Sequence, residues 1–215
     1  MVDASAMAQV AEVLEARKEV PKFVVLSAMG GATDALLNAG EAARRGDAAW
    51  HTLVAELRSC HLEACNSLLE GAAADAVAAE IEDGLAYVHS ICEGLQLLHE
   101  FSDHAKDALV SMGERLSIPI VHALLESKGF QSARLSALNI VVTDSEFGSA
   151  TVDRSRMSEN LRTAMSDLQG CQVVLMEGFV GRDPYGEVTT LGRGGSDLTA
   201  SLVANMLGAS HMEKS

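Results

Sequence analysis

Proline is scarce in this 215-residue chain, three in all, and basic side chains are few. Three prolines exclude a proline-rich extended chain, and 48% apolar against 21% charged residues excludes a disordered one. Sixteen Lys plus Arg stand against thirty Asp plus Glu, a formal net charge of −14. A chain so short of positive charge lacks the basic face that a nucleic-acid binder needs to neutralise phosphates. No apolar run approaches the length of a membrane span, so no membrane partner is expected. Met1-Val2-Asp3 lacks a basic segment followed by an apolar one, and no secretory signal is visible. There are only four cysteines, Cys60, Cys65, Cys92 and Cys171. Without a secretory signal they are expected to be reduced, buried thiols, which points to a reducing, cytoplasmic compartment. The length suits one generous domain or two small ones with a sizeable core.

Along the chain, residues 4–17 carry Met7, Val10 and Leu14 on one helical stripe, and Pro21 then breaks the pattern. Phe23-Val24-Val25-Leu26-Ser27 reads as a strand covered on both faces. The turn from Ala28 to Asp34 follows, with Thr33 or Asp34 expected to cap a helix beginning near Ala35. Residues 48–100 are helical almost throughout. One stripe runs through Trp50, Leu53, Val54, Leu57, Ala64 and Leu68; a second runs from Val77 through Ile81, Leu85, Val88 and Cys92 to Leu95 and Leu98. A small-residue break near Gly71 makes this an antiparallel helical hairpin, read as a scaffold or subunit contact. Asp103 is expected to cap a helix reaching Lys128, ended by Gly129. Short strands are expected at Ser132–Leu135 and Ile140–Val142, a helix at about 153–168, and a buried strand over Val173–Met176. Tyr185-Gly186 marks a turn, and Gly192 to Asp197 opens onto a helix over 198–207. Alternating buried strands and helices predict an α/β fold, a three-layer αβα sandwich with a mostly parallel sheet.

Several patterns lead nowhere. His99 and His104 stand at i and i+5, roughly 140° apart around a helix, and cannot share a metal from one face. Cys60, His61 and Cys65 fail by the same geometry, so no protein metal site is expected. There is no Gly-Lys-Ser/Thr phosphate loop, and Gly192, Gly194 and Gly195 do not complete a dinucleotide G-x-G-x-x-G.

Three segments fall where an α/β sheet places ligands, beyond the carboxyl ends of its strands. In Ser27–Asp34, glycines allow close backbone approach, and hydroxyls can bond a carboxylate or phosphate. Taken alone, this stretch reads equally as an ordinary turn with a cap. Gly178-Phe179 is a weaker signal of the same kind. Gly192–Asp197 is the most informative: free N–H groups at a helix start suit an anion, and Arg193 adds a planar fork. Ser196 also reads as a plain N-cap and Asp197 as a first-turn acid. An arginine among three glycines in an acidic chain favours anion binding. Gly113 inside a helix costs about 1 kcal/mol relative to alanine, which points to a close approach there. Its neighbour Glu114, taken alone, reads more often as a solvated carboxylate.

Together these segments resemble the amino-terminal part of the aspartate kinases, in the amino-acid kinase family. The resemblance rests on Val24-Val25-Leu26-Ser27-Ala28-Met29 with Gly31-Ala32-Thr33-Asp34, then Gly113-Glu114-Arg115-Leu116-Ser117. Thr143-Asp144, Phe147-Gly148, Ala150 and Gly178-Phe179-Val180-Gly181 follow in order. Thr190-Leu191-Gly192-Arg193-Gly194-Gly195-Ser196-Asp197 completes it. The resemblance implies transfer of the γ-phosphoryl of Mg-ATP to the side-chain carboxylate of L-aspartate, the first step toward the aspartate-derived amino acids, lysine among them.

By position, Arg193 would clamp the substrate α-carboxylate with Ser27 and Thr33, and Glu114 would accept from its ammonium group. Gly194 and Gly195 would line the phosphate, with Ser196 and Asp197 as the catalytic residues. The expected partners are L-aspartate and ATP, with Mg2+ carried on the nucleotide, and a homodimer in the longer protein. Family members start on a Lys-Phe-Gly-Gly-Thr-Ser strand and continue into a Trp-Thr-Asp strand and a nucleotide-binding half. Residues 1–215 are therefore expected to be an incomplete catalytic domain, its aspartate-binding lobe, with the hairpin at about 48–100. It is expected to be inactive alone. A non-catalytic ligand-binding or subunit-interaction remnant, and another amino-acid kinase, are the alternatives.

Overall fold

A computed structural model describes residues 3–17 and 22–213; the break expected at Pro21 lies outside the described residues. Its centre is β3 (Val173–Glu177), an all-apolar run until its final acid and buried along its whole length. β1 (Lys22–Leu26) and β2 (Ser132–Leu135) flank it in parallel, giving the order β1-β3-β2. Lys22 and Ser132 both stand opposite Val173, and Leu26 stands opposite Glu177.

The pleat sends alternate side chains to two separate cores. Val24, Leu26, Val173 and Leu175 face the larger one; Phe23 and Met176 face the smaller. The larger core lies under α1 (Ala4–Glu15), α2 (Ala32–Arg44), α3 (Ala49–Leu68), α4 (Gly71–Leu98), α5 (Asp103–Val110) and α6 (Met112–Ser127). The smaller lies under α7 (Ala137–Ile140), α8 (Arg154–Asp167) and α9 (Gly195–Met206). The expected three-layer αβα sandwich with a parallel sheet is what forms.

α3 and α4 run antiparallel, pinned along their length. Trp50 Nε1 donates to Gln96 Oε1 at 3.0 Å near one end, Arg58 pairs with Glu82 midway, and the Cys65 thiol meets the Ala74 carbonyl near the other. Their buried stripes belong to the main core, so the hairpin is part of the helical layer. Leu98, expected on the buried stripe, is 71% exposed because α4 ends there, with His99 turning left-handed at φ 55°.

The segment from Asp103 to Ser127 is long and apolar enough to cross a membrane, contrary to the sequence reading. It is 78% buried inside the protein, where it supplies the helices that cover the sheet. It is also two helices rather than one, joined at Ser111, whose hydroxyl turns back to the Ala108 carbonyl at 2.8 Å.

Other local expectations change. Ser102 caps α5 with its side chain, and Asp103 sits in the first turn. α2 begins at Ala32 behind a left-handed Gly31, not at Thr33 or Asp34; α9 begins behind a left-handed Gly194, not at Ser196. Glycine reaches positive φ without steric cost, so it starts both helices without a side-chain cap. Residues 140–142 form no strand: Ala137 and Ile140 bury one face of the single-turn α7, and only Val142 bridges to Arg182. A hairpin of β4 (Val180–Arg182) and β5 (Val188–Thr190) closes around the Tyr185-Gly186 turn and was not anticipated as paired strands. All four cysteines are free thiols, and Cys60 is exposed rather than buried.

Candidate functional site

The site begins at the start of α6. A side chain at Gly113 would place its Cβ 2.9 Å from that of Ala28, closer than such atoms approach. The glycine therefore lets α6 press against the turn after β1, the expected close approach, although Gly113 stands in the first turn of α6 and not mid-helix. The Ser117 hydroxyl fastens the same joint, donating to the Gly113 carbonyl at 2.9 Å and accepting from the Met29 N–H at 3.2 Å. Thr33 lies alongside, its Oγ1 3.8 Å from that same Cβ position, and half-buried Ser27 follows directly from β1.

Next to Gly113, Glu114 is 3% exposed, and its Oε2 has no hydrogen-bond partner. Burial, opposed by the N–H groups of Ala28 and Glu114 itself, raises its carboxyl from 4.5 to about 7. The nearby carboxylate of Glu177 raises it further. Glu177 ends β3 and is also buried, which raises its own carboxyl; its Oε2 accepts from the Ala137 N–H at 2.7 Å and so fixes α7 to the sheet. Two buried carboxyls, Glu114 in the first turn of α6 and Glu177 at the end of β3, thus meet at one poorly solvated point.

The glycine-arginine loop meets the same strand ends. Gly178 has no room for a side chain, since a Cβ there would lie 2.7 to 2.9 Å from Ser196. Gly195 is equally tight against Phe179. Phe179 takes a left-handed φ of 69°, a conformation costing about 1–3 kcal/mol in a bulky residue. It is held there on both sides: its N–H donates to Thr199 Oγ1 at 3.3 Å, and its carbonyl accepts from the Leu191 N–H at 2.8 Å. The Gly195 N–H is spent inside the loop on the Gly192 carbonyl at 3.0 Å. The expected phosphate contact from that N–H is therefore not available, and Gly194 and Ser196 are the neighbouring N–H groups without a partner among the described residues.

Asp107 sets the height of this loop. Its carboxylate, 2% exposed, accepts from the Gly148 N–H, the Thr190 N–H and the Thr190 hydroxyl at 2.8, 2.8 and 2.6 Å. One side chain on α5 therefore ties two loops together just before Leu191-Gly192-Arg193.

Ser27, Thr33, Glu114, Gly178 and Ser196 are brought to the carboxyl ends of β1 and β3. Arg193 and Asp197 are exposed on the adjoining loop and first helical turn, and no carboxylate pairs with Arg193 among the described residues. Among the described residues no group of three His, Cys, Asp or Glu side chains is placed to hold a metal ion. His99 and His104 do not share a helix at all: His99 caps α4 and meets the Arg44 carbonyl, while His104 meets Glu187.

Asp107, Ser117 and Glu177 escaped the sequence reading. Asp107 lies on α5 and Glu114 on α6, and the periodicity of neither helix alone declares its acid buried.

Comparison with known proteins agrees with this geometry. The profile described as the Amino acid kinase family matches residues 1–214. The chain is 30% identical to an aspartokinase of Chlamydia trachomatis over 94% of its own length and 43% of that protein's. It is 30% identical to the lysine-sensitive aspartokinase 3 of Escherichia coli, over 99% of its length and 46% of that protein's. It superposes on the crystal structure of E. coli aspartokinase III in complex with aspartate and ADP with a TM-score of 0.88 at 28% identity, covering 98% of this chain and 45% of the other. The chain spans less than half the length of these relatives. A parallel sheet with a buried acid and a glycine-arginine loop at its carboxyl edge, matched over nearly every residue by one family profile, makes this chain a member of the amino acid kinase family.

Proposed function

We propose that this chain forms the aspartate-binding part of an aspartate kinase, acting on L-aspartate and ATP. The observation that carries the proposal is the separation of charge at one strand edge. Among the described residues, Glu114 is a buried acid with no ion-pair partner, and Arg193 is an exposed arginine with none. An α-amino acid offers both complements on one carbon.

Glu114 would receive the substrate ammonium, and Arg193 would hold the α-carboxylate bidentately, with the hydroxyls of Ser27 and Thr33 beside it. The side-chain carboxylate would then point toward Gly194 and Ser196, whose N–H groups at the start of α9 favour anionic oxygens. One carboxylate oxygen attacks the γ-phosphorus; the bond from that phosphorus to the bridging oxygen breaks, and ADP leaves with the electron pair. This chain's share of the work is to align two anions and offset charge on the transferring group. Magnesium would arrive with the nucleotide as part of that substrate, and Asp197 would order the polar groups around it.

Relatives named as lysine-sensitive and as complexed with aspartate and ADP support this substrate pair. Four free thiols fit a cytoplasmic setting. A homodimer belongs to the same reading, with exposed Leu97 and Leu98 at the end of α4 as apolar surface for a contact. The test is thermal unfolding with and without L-aspartate: the unmutated chain should gain melting temperature, and Arg193→Ala should abolish the gain. No gain in the unmutated chain counts against the proposal.

A further inference from the structure

A second cavity, about 420 Å3, opens between α4, α5, α6, α7 and the β4–β5 hairpin. It shares no residue with the aspartate site proposed above. Tyr87, Leu138 and Val188 line it beside Arg115 and Arg182, and Glu187, held by His104, lines it too. Arg115 follows Glu114 in sequence but projects about 100° away around α6, toward this cavity rather than the strand edge.

Both arginines lack a counter-ion. No carboxylate lies within 4 Å of either among the described residues, and the Nε of Arg182 is buried without a partner. Arg115 has only weak contacts, with Met112 Sδ at 3.1 Å and the Tyr87 ring with its centroid at 6.0 Å. The nearby carboxylates already have partners. Asp183 accepts from the Ser145 hydroxyl and from the N–H groups of Tyr185 and Glu187. Glu187 meets His104 Nε2 at 2.8 Å. Glu177 feels the field of Arg115 but accepts from the Ala137 N–H.

In a chain of net charge −14, acids to neutralise two arginines are abundant. Two partly buried arginines left unpaired side by side in one cavity favour an anion there. Two guanidinium forks call for a group carrying two negative charges with several acceptor oxygens, which a phosphate supplies. The volume exceeds that of inorganic phosphate and falls in the range of small-molecule sites. We propose that this cavity binds the phosphate group of a small phosphorylated organic molecule, gripped by Arg115 and Arg182.

The probes are inorganic phosphate and glycerol phosphate, titrated calorimetrically into the whole chain against chloride at matched ionic strength. Both should bind, glycerol phosphate more tightly, and Arg193→Ala should leave this binding unchanged. Arg115→Gln and Arg182→Gln should each weaken it at least about tenfold. Arg182→Lys, which keeps the charge and loses the fork, should fall in between and serves if Arg182→Gln does not fold. Absence of binding to the unmutated chain overturns the proposal. So does undiminished binding in folded Arg115→Gln, or loss of binding in Arg193→Ala, which would move the anion to the glycine loop. The aspartate site stands or falls separately, on the effect of Arg193→Ala on L-aspartate binding.

Discussion

Replacing Glu114 by glutamine should make the unliganded protein more stable at pH 8 relative to the unmutated chain, while destroying its affinity for L-aspartate. The carboxyl is raised from 4.5 to about 7, chiefly by burial. The folded chain therefore binds more protons than the unfolded one between those two values, and stability must fall as pH rises through that window. At about 1.4 kcal/mol per pH unit, ionised Glu114 costs the fold about 3 kcal/mol above pH 7, of which about 2.5 kcal/mol appears between pH 5 and pH 8. Glutamine keeps the shape and carries no charge, so it escapes this cost. Its amide would leave a buried donor unbonded where Oε2 now lacks a partner, at about 1 kcal/mol or more regardless of pH. The pH dependence of the difference is accordingly the diagnostic quantity. Urea unfolding of both proteins at pH 5 and pH 8 should show the balance moving toward glutamine by about 2.5 kcal/mol. A constant difference across that range would refute the reasoning, because it would mean that Glu114 is solvated or paired in the folded chain.

Three further substitutions probe how the site is held. Gly113→Ala would force α6 away from Ala28, a 2.9 Å conflict, and should cost about 1–3 kcal/mol in urea unfolding and weaken L-aspartate binding as Glu114 moves. Gly178→Ala would meet the Ser196 backbone at 2.8 Å, so a similar loss should come with weaker substrate binding. Asp107→Ala would strip three hydrogen bonds from the exposed loop at Gly148 and the buried end of β5 at Thr190, a loss of about 3 kcal/mol. Hydrogen exchange should then accelerate most at the amides of Gly148 and Thr190; uniform acceleration would argue against a local clamp.

The layers of the fold were legible because they depend on local periodicity. The apolar runs at 23–27 and 173–176 and the helical stripes of α3 and α4 each need only neighbouring residues to declare them. Ser132–Leu135 was recovered for the same reason, as was the break near Gly71. What failed depends on contacts distant in sequence. Ile140 reads as β-forming, yet Glu177, 40 residues away from Ala137, anchors α7 as a helical turn. Thr33 and Ser196 read as caps, but left-handed Gly31 and Gly194, each two residues earlier, start those helices. Of the candidate site, glycine and arginine positions were visible as departures from ordinary turn composition. Asp107 was not, because an acid in an amphipathic helix looks solvated until the 83-residue separation to Thr190 is closed. Burial of Glu114 was invisible for the same reason.

The most direct test of the charge-separated site compares L-aspartate with succinate, which keeps both carboxylates and lacks the ammonium. Calorimetric titration at pH 8 should find L-aspartate bound at least about a hundredfold more tightly, since a buried carboxylate left without its cation costs about 3–5 kcal/mol. That preference should vanish in Glu114→Gln. Equal affinity for the two ligands in the unmutated chain would contradict the account.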